Sequence, residues 1–322
     1  MNFRQRLCFL CQLVLFSALP TLTEQAQGQD LDGVSPDSPY ITVLGVAQDG
    51  GFPQASCNKD CCRELQGGPI EGPSCLALVD PQTGQRWLFE CTPQFPQQLA
   101  RLNAVSSAKS QPGIDGIFLT HAHIGHYAGL VHLGREVMGA KEIPVHVMPR
   151  MAAFLKSNGP WSQLVNLKNI ELNSLVADQP VQLNERLQVT PLVVPHRDEF
   201  SETVAYKIQG PEKSVLFLPD IDKWERWETR IEDVIKDVDV AYLDATFYDN
   251  AELPGRDMSQ IPHPFIVESV RRFGSLTSSQ RSKVRFIHLN HSNPALQPKS
   301  KARERVQKAG MSVAQTGERV DL

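Results

Sequence analysis

The sequence predicts an α/β fold in which two β-sheets pack together with helices outside. Three observations lead there. Short apolar runs recur along the chain, several alternating or β-branched and ending at Gly, Pro or Asp, as strands do. The early runs follow one another in hairpin-like succession, whereas the later ones alternate with helical patterns. No fixed-period repeat or low-complexity tract is visible, so one domain over about residues 40–322 accounts for the pattern.

In chain order the strand patterns fall at 40–46, 75–79, 87–91, 116–120 and 145–148, then at 187–194, 203–208, 214–219, 238–244 and 283–289. Helical patterns cover 94–105, 223–234, 265–273 and 298–308. In the last of these, Pro298 fits a first helical position and Gly310 follows the end. The segment 157–182 is poorly patterned and reads as an insertion over one sheet edge.

Ahead of the domain, Arg4 and Arg6 precede an apolar run over 7–19, and a polar stretch over 21–30 follows. A basic start with a short apolar core is the grammar of a secretory signal, here 1–28, with small residues at Ala26 and Gly28 flanking Gln27. The protein is therefore expected to be exported, periplasmic or secreted, with no stable membrane insertion once the signal is cut; an uncleaved anchor is the alternative. The chain has 322 residues, 41% of them hydrophobic, and a formal net charge of −4. That composition allows a large core and gives no electrostatic reason to hold a nucleic-acid backbone, so a small-molecule substrate is expected. Oligomeric state is not legible.

The chemistry is concentrated in Thr120-His121-Ala122-His123-Ile124-Gly125-His126, which follows a buried apolar strand. Imidazoles this close at a strand end can converge on one metal, and imidazole suits zinc, iron and manganese. This segment resembles the signature loop of the metallo-β-lactamase superfamily, normally HxHxDH. That resemblance implies a four-layer αββα sandwich. It also implies a metal site of His121, His123, His126, His196, Asp220 and His288, with Asp220 bridging two ions. His196, Asp220 and His288 each follow an apolar run.

Within the superfamily the chain resembles coenzyme-PQQ-synthesis B proteins and the phosphodiesterases of phosphonate metabolism. The resemblance lies in Gly45-Val46-Ala47-Gln48-Asp49-Gly50-Gly51-Phe52-Pro53-Gln54 and in Leu289-Asn290-His291-Ser292-Asn293-Pro294. The stretch Asp244-Ala245-Thr246-Phe247 is similar to one shared with the tRNA-processing branch, where His263 stands at the place of a second histidine loop. Gly125 departs from the pattern, since the family has an aspartate there. One firmly held metal is therefore expected, with a second weaker or absent, unless Asp49 supplies the missing carboxylate. Zinc is the expected ion, with manganese and iron as alternatives.

The resemblance implies hydrolysis of a phosphodiester, lactone or ester by a metal-bound hydroxide, because a divalent metal lowers the pKa of its water from 15.7 to about 7. Asp220, Asp244 and His263 are the candidate catalytic residues: Asp220 to orient the hydroxide, and His263 with Asp244 to protonate the leaving group or grip substrate. Asp244 could equally align a ligand histidine, and His263 could be a surface histidine between two prolines. An iron-dependent oxidative or biosynthetic protein of the PQQ-synthesis B kind, or a non-catalytic metal binder, is the alternative.

Of seven cysteines, Cys8 and Cys11 fall in the leader, and an odd number remains, which argues against a simple disulfide framework. In the phosphonate-pathway relatives a C-x-C-x-x-C loop and a later histidine form a structural zinc site. Here that implies Cys57, Cys61, Cys62 and His291, with Lys59 in place of the middle cysteine. A Cys57–Cys62 disulfide is the alternative. Cys75 and Cys91 lie in strand patterns and read as buried apolar residues.

Overall fold

The fold is taken from a computed structural model that describes residues 37–68, 70–108 and 112–322. The leader expected at 1–28, with Cys8 and Cys11, lies outside them. One seven-stranded sheet contains β1 (Tyr40–Gly45), β2 (Cys75–Asp80), β3 (Gln85–Phe89), β4 (Gly116–Phe118), β5 (Ile143–Val147) and β6 (Ile170–Ser174). The other contains β7 (Val181–Gln182), β8 (Gln188–Val193), β9 (Val204–Gln209), β10 (Ser214–Leu218), β11 (Val240–Asp244), β12 (Val284–Ile287) and β13 (Ser312–Val313). The last strand, β14 (Arg319–Asp321), returns to the first sheet beside β1, so the orders are β14-β1-β2-β3-β4-β5-β6 and β13-β12-β11-β10-β9-β8-β7.

Side-chain alternation builds the layers. Ile41 and Val43 of β1 join Leu76, Leu78, Phe89 and Phe118 in a core that also holds Tyr206, Phe217, Tyr242 and Ile287 of the second sheet. Tyr40 and Leu44 point to the opposite face, with Leu88, Ile117, Phe95 and Leu102. On the far side of the second sheet, Leu216, Leu218 and Leu243 pack with Ile266 and Phe273. Strands buried on both faces read as continuous apolar runs, which is why β1, β2, β10 and β11 are so visible in the sequence. The result is the expected αββα sandwich.

Several elements differ from expectation. The helix expected at 223–234 is a 3-10 turn, Trp224–Arg226, followed by a helix at Ile231–Lys236. The helix expected from Pro298 begins at Lys301, because the Ser300 side chain accepts from the Arg303 amide and caps it there. The segment 157–182 is no insertion: it supplies a helix, Trp161–Asn166, the edge strand β6, and β7. In β6 only Ile170 is buried, so an edge strand carried no apolar pattern to read. Among the described residues no helix is long and apolar enough to cross a membrane.

Strands β3 to β6 are mutually parallel, as are β10 to β13. Their carboxyl ends deliver the residues that matter: β4 leads to His121, β10 to Asp220, β11 ends in Asp244, and β12 leads to His288. A crevice at the carboxyl ends of parallel strands is where such sheets place their chemistry.

Candidate metal centre

The histidine loop is fixed by its surroundings. The Ala122 amide donates to Ser201 Oγ at 2.8 Å, and the His126 amide donates to the His123 carbonyl at 2.9 Å. A single helical turn, Ile124–Tyr127, then carries His126 back over the site. His121, His123, His196 and Asp220 each offer one donor atom, all within 4.8 Å of one another. Asp220 Oδ2 lies 3.3 Å from His121 Nε2 and 3.3 Å from His196 Nε2. Metal bonds of about 2.0–2.1 Å arranged tetrahedrally give donor separations of about 3.3–3.4 Å, so these spacings suit one ion.

A second group brings Asp49, His126 and His288 together within the same limit. His126 Nε2 is 3.3 Å from Asp49 Oδ1 and 3.7 Å from Asp220 Oδ2, which leaves Asp220 between the two groups. The ring nitrogens His126 Nε2, His196 Nε2 and His288 Nε2, and the oxygens Asp49 Oδ1 and Asp220 Oδ1, are buried without a hydrogen-bond partner. Buried polar atoms are normally satisfied, and a cluster of orphaned imidazole and carboxylate donors fits a divalent cation.

The far nitrogens of His121, His123, His126 and His288 are hydrogen-bonded to protein groups, which fixes those rings and leaves the other nitrogen for metal. Glu90 Oε1 meets His126 Nδ1 at 3.1 Å and also binds the Thr120 hydroxyl, which lies 2.8 Å from His121 Nδ1. Glu199 Oε2 is 3.2 Å from His123 Nε2. Thr246 Oγ1 is 2.9 Å from His288 Nδ1, and Asp222 Oδ1 is 3.5 Å from His196 Nδ1. Glu90 and His288 both adopt left-handed backbone, at φ 81° and 63°, directly after β3 and β12. Strain of this kind collects at functional sites.

His263 is buried, not a surface histidine. Its Nδ1 lies 2.8 Å from Asp244 Oδ2 and 3.1 Å from Asp220 Oδ1. Asp244 is fully buried and also accepts from the Ile221 amide at 3.0 Å and from Thr246. It therefore aligns the Asp220 loop, Thr246 and His263 together.

Burial and the neighbouring His126 push His121 well below the ordinary imidazole range, into its neutral, ligand-competent form. Burial opposes charge on His196 too, but Asp220 and Asp222 outweigh it and raise it to about 9. Asp244 and Asp220 likewise outweigh burial at His263 and raise it to about 10. Asp220 is held well below the carboxylate range because the surrounding histidines overcome its burial. So many buried carboxylates require compensating positive charge, which protons or a metal can supply.

Cys57, Cys61, Cys62 and His291 form a separate cluster, again within 4.8 Å. Cys57 Sγ and Cys61 Sγ are 3.9 Å apart, and Cys61 Sγ and Cys62 Sγ 3.8 Å. Tetrahedral zinc with Zn–S bonds of about 2.3 Å spaces its sulfurs at about 3.8 Å. The Cys57–Cys62 disulfide alternative does not hold in this structure, where all the described cysteines are free. Burial and the adjoining sulfurs push the Cys61 thiol up to about 12, so a cation is needed before several of these thiols ionise together. Cys75 and Cys91 are fully buried in the apolar layer beside Leu88 and Ile117.

Sequence reasoning missed Glu90, Thr246, Asp222 and Glu199. Only Glu90 left a signal, as a lone acid inside the apolar run 87–91; the others are single polar residues whose role appears only when distant loops meet.

Residues 85–289 match the beta-lactamase superfamily domain. Coenzyme PQQ synthesis protein B of Nitrosococcus oceani is 25% identical over 313 residues, covering 86% of this chain and 98% of the relative. The Klebsiella pneumoniae protein of the same name is 26% identical over 312 residues, covering 88% and 98%. Among solved structures, Zn(2+)-bound PqqB from Methylobacterium extorquens superposes with a TM-score of 0.73 at 20% identity, over 88% of this chain and 100% of that one. A diphosphatase from the PhnP family gives a TM-score of 0.63 at 20% identity, over 88% and 97%. By its fold and by this match over most of its length, the chain belongs to the metallo-β-lactamase superfamily.

Proposed function

We propose that this protein is a zinc-dependent hydrolase acting on a phosphodiester or a lactone-like ester, and that it works outside the cytoplasm. The observation that carries the reading is the buried convergence of His121, His123, His196 and Asp220, with His263 Nδ1 3.1 Å from the second oxygen of Asp220. When bound, a divalent cation there acidifies water to a pKa of about 7 and polarises a carbonyl or phosphoryl oxygen. Asp220 orients the attacking water through its carboxylate. His263 is clamped at Nδ1 by Asp244 and Asp220, so Nε2 is the nitrogen that can meet a leaving group and give it a proton. Export rests on Arg4, Arg6 and the apolar run over 7–19.

The test is hydrolysis of bis(p-nitrophenyl) phosphate and of a five-membered lactone by chelator-stripped protein, before and after zinc is restored. Zinc should restore turnover of at least one of them. His263→Ala should lower kcat by about 10²–10⁴ with zinc content unchanged. Stripped and reloaded protein equally inert towards both would sink the hydrolase reading. A biosynthetic or oxidative role of the PQQ-synthesis B kind is the second reading, supported by the end-to-end match to those proteins. Iron in place of zinc in protein purified without added metal would favour it.

A further inference from the structure

We propose that Asp49, carried by the loop after β1, is a ligand of a second metal at His126, His288 and Asp220, and that Gly125 is glycine to make room for it. The donors converge. Asp49 Oδ1 lies 3.3 Å from His126 Nε2 and 3.8 Å from His288 Nε2, and these three atoms are buried with no hydrogen-bond partner. His126 and His288 are almost wholly buried, at 2% and 1% exposure. Two buried imidazole nitrogens and a carboxylate oxygen aimed at one point are a ligand set, not a hydrogen-bond network.

The loop is held in place for this task. The Gln48 amide donates to the Leu289 carbonyl at 2.8 Å, and the Leu289 amide donates to the Val46 carbonyl at 2.9 Å. Asp49 and His288 therefore arrive on two backbone segments that bind each other. The Gly51 amide closes the turn onto the Gln48 carbonyl at 2.8 Å.

Gly125 lies in the helical turn Ile124–Tyr127, where any residue could adopt the backbone, and glycine disfavours a helix by about 1 kcal/mol relative to alanine. What it provides is space. A Cβ at position 125 would lie 2.1 Å from Asp49 Oδ1 and 2.5 Å from Asp49 Cα. A side chain at 125 is thus excluded by the loop that carries Asp49, by its backbone as well as its carboxylate, and glycine lets that loop approach. The weak or absent second site expected from Gly125 alone gives way to a complete one.

The proposal rests on the metal reading of the centre, and the experiment separates the two. Protein is stripped with chelator, reloaded with Zn2+, desalted, and its zinc per chain measured for native protein, Asp49→Ala, Asp49→Asn and His121→Ala. Asp49→Ala should hold one equivalent fewer than native, and Asp49→Asn should bind that equivalent at least tenfold more weakly. Gly125→Asp with Asp49 retained should lower Tm, since the two side chains compete for one space. Native zinc content in Asp49→Ala, or native affinity in Asp49→Asn should the alanine variant not fold, overturns the proposal. If His121→Ala loses zinc while Asp49→Ala does not, only this proposal fails. If neither loses zinc, the metal reading fails with it.

Discussion

At the scale of single residues, the centre depends on the groups that aim the imidazoles as much as on the imidazoles. Glu90 is the clearest case. It is fully buried, sits in left-handed backbone, and reaches both His126 and, through Thr120, His121. Glu90→Gln keeps the shape but weakens both holds, and should reduce zinc affinity by about 10–100-fold, measured by competition with a chelating dye. Unchanged affinity would show that the rings are oriented by packing alone. The candidate ligand histidines stood out in the sequence because imidazoles packed within a few positions after a buried strand have few other uses. Glu90 was not, since an acid in an apolar run has no chemical meaning until the loop carrying His126 folds onto it. Asp49 was legible only as a possibility, because its approach depends on the space left by Gly125.

At the scale of elements, the loops are tied together by polar contacts that periodicity does not encode. The cysteine loop and the segment after β12 meet through His291, three positions beyond His288 in sequence but assigned to a different cluster. His291→Ala should release the zinc of the cysteine cluster and lower Tm, whereas His288→Ala should lose the second equivalent of the active centre and abolish turnover. Thiol titration of unfolded, metal-stripped protein lacking residues 1–28 should find five reactive thiols without reductant; three would mean a disulfide has formed.

A second tie joins the loop after β11 to the same segment. Glu252 accepts from the Ser292 hydroxyl and the Tyr248 amide, both at 2.6 Å. Burial raises its pKa from 4.5 to about 7 despite those donors. The folded state therefore holds this proton more tightly than the unfolded chain does. The stability it contributes is full below about 4.5 and is lost as pH rises through about 7. Glu252→Gln cannot ionise, so it should be more stable than native by on the order of 1 kcal/mol above pH 8, and the gap should close below pH 4.5. A gap independent of pH would rule out the carboxyl as its cause. Elements buried on both faces were readable, while β6 and the broken helix after Asp222 were not, because their exposed residues leave the apolar period undefined.

At the scale of the whole molecule, two parallel sets of strands face their carboxyl ends to one crevice, and the sandwich holds them there. Phe89, Phe118, Tyr206 and Phe217 pack edge and face between the sheets, with ring centres 5.1–6.3 Å apart, so the loops spring from a rigid floor. A surface cleft lined by Thr190, Leu192, Pro195, Trp227 and Glu228 meets the centre at His196. Two packed sheets with helices outside followed from the succession of elements and apolar runs, and the four-layer form from the family resemblance, whereas the identity of the substrate is set by loop surfaces that no pattern of burial records. If His121, His123, His196 and Asp220 hold a metal ion, elemental analysis of native protein and His196→Ala, both purified without added metal, should show at least one equivalent lost from the variant. Equal metal in the two would mean that this cluster binds none.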